Sequence, residues 1–485
     1  MIKEIKRVLV ANRGVPAVRI MDTLRDRKIK SVAVYSDPDR IAHHVYMADF
    51  AQPIGEGPPK ESYLNIERII TAAHKSNADA IHPGWGFLAE NAQFAQRVID
   101  EGLIWIGPSP DVIRRLGDKI EAKEIAIRSH VPTIPGINNV TEPAQINRWM
   151  QTEKISFPIM IKPSAGGGGK GMIRVDDKQQ IPQALSQASS EASKAFGDNK
   201  LIAEKYIESG KHIEVQIVSD LYGNIVHLFE RECTLQRRNQ KIIEETPSPT
   251  LEDELRQQMC DAAINLMKEV GYTSAGTVEY LFDPGTGKFY FLEVNTRLQV
   301  EHGITELATG LDIVGIMLDV AMGKQLPFRQ DEVQRNRWAI EARINAEDPK
   351  TFSPSFGTIT RLLTPQGQAV RVTPGVFEGA DVPPYYDSLI ILAMTSGANR
   401  TDAIRGMDRA LGRSLRIEGV KTLAPLLLSI IRHPAFIEGK FSTRFIEENM
   451  EELISMFRDK NSEDEVLKIA NYIAKISALK QQRWM

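Results

Sequence analysis

Apolar and polar positions follow a strand, helix, strand rhythm from the beginning of the chain. Arg7-Val-Leu-Val-Ala-Asn12 is a short apolar run broken by Gly14; residues 15–27 repeat apolar side chains at helical spacing, and Ser31-Val-Ala-Val-Tyr35 is apolar again. That order predicts an αβ unit on a parallel sheet. A second round predicts helices over 66–73 and 87–100 and strands at 80–81 and 103–106. Residues 1–116 are therefore expected to form an N-terminal doubly wound αβ domain.

From Gly117 the pattern changes. Helix-forming text runs to Arg128, an apolar strand is expected at 157–161, and the cluster Gly166, Gly167, Gly168, Gly169 and Gly171 predicts a flexible loop between strands. A polar segment over 329–337 then precedes strand-rich text at 338–344, 357–363 and 369–373, which sets a boundary. Near the end, Val466, Ile469, Ala470, Ile473, Ile476 and Leu479 form one stripe behind a Ser462/Glu465 capping box. The stripe predicts a helix that packs on its own chain or docks on a partner.

Composition narrows the class. At about 150 residues per domain, 485 residues suggest three domains, and 42% hydrophobic content is ample for their cores. Sixty Lys and Arg against 63 Asp and Glu leave a net charge of −3, so no global basic field recruits nucleic acid or an anionic membrane. Cys233 and Cys260 form no CxxC, which fits a reducing compartment and a cytoplasmic location. The first residues, with Ile alternating among Lys, Glu and Arg, lack the apolar stretch of a secretory signal, and no apolar run reaches the roughly 18–20 residues of a membrane span.

Candidate chemistry gathers in two places. The glycine cluster follows Ile159-Met-Ile-Lys162 and precedes Lys170, so backbone N–H groups and flanking lysines could meet phosphate oxygens; a surface hairpin tip is the alternative. It is not the GxxxxGK[ST] phosphate loop. The dinucleotide fingerprint GxGxxG is also missing after the first strand, where Asn12-Arg-Gly-Val-Pro16 stands.

The second place is a hairpin, Val278-Glu-Tyr-Leu-Phe282 and Phe289-Tyr-Phe-Leu-Glu293, joined by Asp283-Pro-Gly-Thr-Gly-Lys288. A turn centred on Thr286 would set Glu279 across from Glu293, with Asn295 and Arg297 on the same face. Opposed carboxylates ask for a cation or a proton, and oxygen ligands of this kind suit Mg²⁺. Solvated glutamates on an open sheet are the alternative. Beyond the hairpin, Arg297 could hold a small anion and Glu301 could act as a base. Cys233-Thr-Leu-Gln-Arg-Arg-Asn-Gln-Lys241 reads as a basic cluster, with a solvated face as the alternative, and His82-Pro-Gly-Trp-Gly86 as a stiff loop bearing an exposed aromatic.

With these residues in view, the chain from Val8 to about Ile446 resembles biotin carboxylase, the ATP-grasp component of biotin-dependent carboxylases. The motifs are Ala11-Asn-Arg-Gly14, His82-Pro-Gly-Trp-Gly-Phe-Leu-Ala-Glu-Asn91, Gly117-Asp-Lys119, Ile161-Lys-Pro-Ser-Ala-Gly-Gly-Gly-Gly-Lys-Gly-Met172, Glu230-Arg-Glu-Cys233 and Gln236-Arg-Arg238. Glu293-Val-Asn-Thr-Arg-Leu-Gln-Val-Glu-His302, Arg343-Ile-Asn-Ala-Glu-Asp-Pro349 and Pro383-Pro-Tyr-Tyr-Asp-Ser388 complete the set.

The resemblance implies an α/β and α+β multidomain fold. An N-terminal doubly wound αβ (pre-ATP-grasp) domain at 1–116 would be followed by an ATP-grasp domain at 117–332 with a mobile lid over about 135–205, a C-terminal mixed α/β domain at 333–447 and a helical tail at 448–485. For ATP it implies Lys119, Lys162, Gly166, Gly167, Gly168 and Gly169 at the phosphates, and Glu204, Lys205, Ile207, His212, Gln236 and Leu281 around adenosine. Glu279, Glu293 and Asn295 would carry Mg²⁺ or Mn²⁺; Lys241, Arg297, Gln299 and Val300 would bind bicarbonate.

By the same resemblance Glu301 is the general base that leads to carboxyphosphate, and Trp85 and Arg343 meet biotin, with Arg343 stabilising its enolate. Lys241 and Arg297 count with Glu301 and Arg343 as catalytic. The implied partners are a biotin carboxyl carrier protein or domain, a carboxyltransferase subunit and a second copy in a homodimer. No Met-Lys-Met acceptor sequence is present, so biotin is expected as a carrier-bound substrate on a separate protein. The final acceptor, whether acetyl-CoA, propionyl-CoA, pyruvate or another 2-oxo acid, stays open.

The family usually has Tyr at Trp85, His at Asn239, Pro at Gly303 and Lys at Leu392. Loss of the cation at 392 is expected to remove a salt bridge or dimer contact, and Gly303 to loosen the segment beside the base. Two alternatives stay open: another ATP-grasp carboxylate ligase, and a non-catalytic nucleotide-binding paralogue.

Overall fold

The computed structural model describes residues 4–164, 171–196 and 200–458. Gly166 to Gly169 and the expected helix behind Ser462 lie outside the described residues. Five parallel strands build the N-terminal sheet: β1 (Arg7–Val10), β2 (Lys30–Ser36), β3 (Phe50–Gly55), β4 (Ala80–His82) and β5 (Ile104–Trp105), in the order β3-β2-β1-β4-β5. After Arg7, β1 is apolar on both faces because both are covered: Val8 and Val10 enter one core and Leu9 another.

Two helix boundaries differ from the pattern-based reading, each because a side chain caps the backbone. The helix expected from residue 87 begins at Ala92, since Asn91 Oδ1 accepts from Phe94 N at 2.8 Å; residues 87–91 are loop. The helical text after Gly117 is a new helix, Lys119–Arg128, whose N-cap Asp118 accepts from Ile120 N and Glu121 N, both at 2.9 Å.

A four-stranded antiparallel sheet follows, made of β6 (Gly136–Asn138), β7 (Ile159–Pro163), β8 (Ile173–Val175) and β9 (Leu201–Lys205), in the order β6-β9-β7-β8. The third sheet has eight antiparallel strands. β10 (Lys211–Ser219), β11 (Ile225–Arg237), β12 (Gln240–Thr246), β13 (Ser274–Asp283) and β14 (Lys288–Asn295) join β15 (Trp338–Asn345) and the strands Leu389–Gly397 and Val370–Pro374. Their order is β14-β13-β10-β11-β12-β15, then Leu389–Gly397, then Val370–Pro374. The central and C-terminal parts of the chain thus share one hydrogen-bonded sheet through the β12–β15 pair. The helix His302–Thr309 packs across it. Among the described residues no helix is long and apolar enough to cross a membrane.

Three local expectations are corrected. Trp85 is only 8% exposed, its ring tilted against His302 with centroids 5.9 Å apart. Leu392 is a core residue, closed off from solvent among the apolar side chains between sheet and helix, so no surface contact is lost there. Gly303 is buried in the first turn of the His302 helix, where an added Cβ would come within 2.4 Å of Met394 Sδ. The glycine makes room for Met394 rather than loosening the turn.

Candidate active site

A row of charged side chains crosses four adjacent strands of the large sheet. Arg231 on β11 opposes Glu214 on β10, Glu214 opposes Glu279 on β13, and Glu279 opposes Glu293 on β14. The last pairing depends on a bulge. The turn pairs Asp283 with Lys288, one residue off a turn centred on Thr286, and the register shift between Glu279 and Tyr280 restores the opposition of the two glutamates.

The carboxylates of the row are unevenly neutralised. Arg231, fully buried, donates from Nε to Glu214 Oε1 at 2.5 Å and from Nη1 to Gln216 Oε1 at 2.7 Å. Lys241 Nζ reaches Glu214 Oε2 at 2.5 Å, Glu279 Oε1 at 2.8 Å and Glu301 Oε1 at 2.7 Å. Burial alone would lower its pKa, but the three carboxylates hold its ammonium well above the usual range. His212 Nε2 lies 2.8 Å from Glu279 Oε2, off the hydrogen-bond direction.

Glu293 is half-buried and has no ion-pair partner among the described residues. Burial, and then Glu279 beside it, push its carboxyl up. A divalent cation at this pair would relieve that repulsion, so the two residues fit one. Asn295 is turned otherwise: its Nδ2 donates to Glu279 Oε1 at 2.8 Å and its Oδ1 accepts from Arg297 Nη2 at 2.9 Å. Two further trios, His212 with Glu214 and Glu279, and Glu214 with Cys233 and Glu301, also bring possible ligand atoms within 4.8 Å of one another.

Glu301 is the N-cap residue of the His302 helix and is wholly buried. Its Oε2 accepts from Arg343 Nη2 at 2.8 Å while Oε1 takes Lys241. Burial would raise its pKa; Lys241, Arg343 and Arg231 overcome this and hold the carboxyl well below the usual range. Arg297 is spread over four neighbours, donating to Glu90 Oε2 at 2.8 Å, to Asn295 Oδ1 and Gln299 Oε1, both at 2.9 Å, and to Leu298 O at 3.3 Å.

These groups surround a cavity of about 750 Å³ between the N-terminal sheet and the large sheet. Trp85, Lys119, Lys162, Ile207, His212, Gln236, Lys241, Glu279, Leu281, Glu293, Asn295, Arg297, Gln299, Val300 and Arg343 all line it. Glu301 lies behind Lys241 and Arg343. Glu204 stands behind Lys162, pairing with it at 2.5 Å and with Lys123 at 2.9 Å. Lys205 ends β9, its backbone N–H on Pro135 O. The basic cluster at 233–241 forms the β11–β12 hairpin. At its tip Asn239 has φ 64°, a conformation asparagine accepts more readily than most side chains, and Lys241 is directed inward.

Sequence reasoning passed over Glu90, Glu214, Arg231, Glu244 and Glu341. No local signal marked Glu214: it falls on the polar phase of the alternating Lys211-His-Ile-Glu-Val-Gln-Ile217, which reads as a strand with one wet face, whereas the structure buries both faces of that strand.

Three family models match the chain in succession: "Biotin carboxylase, N-terminal domain" over 4–113, "Carbamoyl-phosphate synthase L chain, ATP binding domain" over 118–329 and "Biotin carboxylase C-terminal domain" over 341–448. Biotin carboxylase 2 of Bacillus subtilis is 47% identical over 445 residues, 92% of this chain and 99% of that protein. Pyruvate carboxylase of Staphylococcus aureus is 43% identical over 98% of this chain, which spans 41% of that larger protein. Among solved structures, the biotin carboxylase domain dimer of Hydrogenobacter thermophilus 2-oxoglutarate carboxylase, in complex with MgADP, ADP and bicarbonate, is similar. Its TM-score is 0.89 at 43% identity, over 94% of this chain and 99% of that one.

Proposed function

The chain belongs to the biotin carboxylase family, and on that premise we propose that it carboxylates biotin held on a separate carrier protein, using MgATP and bicarbonate, as the first half-reaction of a biotin-dependent carboxylase. The observation that carries this reading is Glu301, buried, with one oxygen on Lys241 and the other on Arg343 beside the cavity.

Lys119 and Lys162 meet the ATP phosphates, and Ile207, His212, Gln236 and Leu281 flank the nucleoside. Glu279 and Glu293 would hold Mg²⁺ or Mn²⁺, which when bound neutralises phosphate charge. Bicarbonate lies against Lys241, Arg297, Gln299 and Val300. Its charge draws Lys241 away from Glu301, and the carboxylate so released takes the bicarbonate hydroxyl proton.

The freed oxygen attacks the γ-phosphorus in line as the bond to ADP breaks, giving carboxyphosphate. This splits into CO₂ and phosphate; the phosphate removes the ureido N–H proton of biotin, and the nitrogen attacks CO₂. Arg343 stabilises the enolate oxygen formed in that step, and Trp85 lies against the biotin. The reading extends to a biotin carboxyl carrier protein, a carboxyltransferase subunit that chooses the acceptor, a homodimer and a cytoplasmic setting.

ADP release with Mg²⁺ATP, with and without bicarbonate and free biotin, tests it. Release that requires bicarbonate and rises with biotin is the expected result. Release without bicarbonate would move the chain to another ligase activity. Silence with carrier-bound biotin present, once ATP binding is verified, would make it a non-catalytic paralogue.

A further inference from the structure

Arg343 stands among more buried carboxylate than it can neutralise. Glu244 of β12 and Glu341 of β15 are direct register partners, and both are closed off from solvent. Neither oxygen of Glu341 accepts a hydrogen bond. Nor does either oxygen of Glu244, although Arg343 Nη2 lies 2.6 Å from its Oε1, close enough for charge pairing but off the donor direction.

The charged groups facing Glu341 are Glu244 from β12, Arg343 two residues along β15, Glu301 at the start of the His302 helix and Arg231 from β11. Arg231 is already committed to Glu214, Gln216 and Thr305, and Arg343 to Glu301. Across from the pair, the strand Leu389–Gly397 places Met394 opposite Glu341 and Leu392 opposite Arg343, where the family more often has lysine, so it brings no cation to either position. Gly303 closes the other side, a Cβ there falling 3.8 Å from Glu341 Oε2. Two carboxylates opposed in so dry a strand pair cannot both ionise without a cation between them; the remaining neutraliser is a proton.

We propose that Glu341 stands protonated, sharing with Glu244 a proton that takes the place of a cation at position 392, and that this acid pair positions the Arg343 guanidinium toward Glu301 and the cavity. The inference rests on the role of Arg343 in biotin carboxylation given above. Burial acts in the same direction, pushing the Glu244 carboxyl up to about 7 and that of Glu341 well above the usual range. When the pair gives up its proton at alkaline pH, a second negative charge appears beside Arg343 and draws the guanidinium off Glu301.

Infrared difference spectra of wild type against Glu341→Gln read the protonation without any turnover. The stretch of an un-ionised carboxyl should be present in wild type and absent from the variant, and Leu392→Lys should abolish it by ionising Glu341. In turnover, Glu341→Ala should lower biotin-dependent kcat by up to about a hundredfold, the scale for a misplaced catalytic group. Glu341→Gln, isosteric with the acid, should recover most of that loss and move the alkaline limb of the biotin-dependent pH profile upward.

An ionised Glu341 in the wild-type spectrum overturns the proposal whatever the activity, as does a Gln variant no better than Ala or one with an unmoved alkaline limb. Failure of the family reaction would look different: no bicarbonate-dependent ADP release, with the carboxyl stretch still in place.

Discussion

Lys241 and Glu301 form a 2.7 Å ion pair in which the carboxylate is wholly buried and the ammonium is shared with Glu214 and Glu279. On the proposed reading of Glu301 as the general base, a base tied this tightly is weak at rest and gains strength only when another anion competes for the lysine, linking proton removal to the arrival of bicarbonate.

Glu301→Gln should therefore lower bicarbonate-dependent ADP release by a factor on the order of 10² to 10⁴, the usual worth of a positioned general base. Nucleotide affinity, read by calorimetry, should stay near that of wild type. A wild-type turnover rate would remove Glu301 from the mechanism.

Arg343→Ala should separate the two stages of the reaction. Biotin carboxylation should fall at least about tenfold further than bicarbonate-dependent ADP release, because on the proposed reading the guanidinium faces the charge that develops on biotin. Equal losses in both assays would count against that role.

Glu293→Gln should act with opposite signs on stability and on metal use. Removing one of two opposed carboxylates relieves repulsion, so the metal-free melting temperature should hold or rise. The Mg²⁺ concentration for half-maximal activity should increase by roughly 10- to 100-fold. Unchanged Mg²⁺ dependence would place the cation elsewhere.

Acid should destabilise the fold through buried imidazoles. Burial pushes His44 and His302 down to about 4 and His82 to about 3. His44 uses both ring nitrogens as a neutral group, accepting from Gly14 N and donating to Val34 O. The unfolded chain binds these protons near pH 6.5, so the stabilisation is fully present above that value and is lost as pH falls toward 4. Melting temperatures should drop between pH 7 and pH 5, and His44→Asn should flatten the slope by one imidazole's share, at most about 1.4 kcal/mol per pH unit. A flat profile in wild type would contradict neutral buried rings.

Gly303→Ala should cost about 1–3 kcal/mol in urea unfolding, the range for overpacking a filled core. Combining it with the shorter Met394→Val should recover much of that loss. Simple additivity of the two would mean that the sulfur does not occupy the space of the missing Cβ.

The parts of the site legible in the sequence were the local ones. Glu279 and Glu293 are joined by a short turn, so hairpin reasoning brought them together even though the register depends on a bulge that spacing does not reveal. Arg231 and Glu214 also face each other across a short hairpin, but Glu214 meets Glu279, and Glu244 meets Glu341, through pairings between strands far apart in the chain, and no local pattern announces which strand lies beside which. Trp85 looked exposed because a Pro- and Gly-rich loop usually is; here Asn12 Nδ2 donates to Pro83 O and Trp85 O, both at 2.8 Å, and pins that loop to the end of β1, while the ring packs against His302.

The eight-stranded sheet also limits how this protein can be taken apart. Lys241 and Glu244 ride on β12 and Arg343 on β15, and those strands are hydrogen-bonded neighbours. A fragment ending before β15 would not be a smaller enzyme with one module removed. It would expose β12 as an unpaired edge and leave the Glu301 carboxylate without one of its two cations, so recombination at that seam would produce a sticky, misassembled half rather than an exchangeable part.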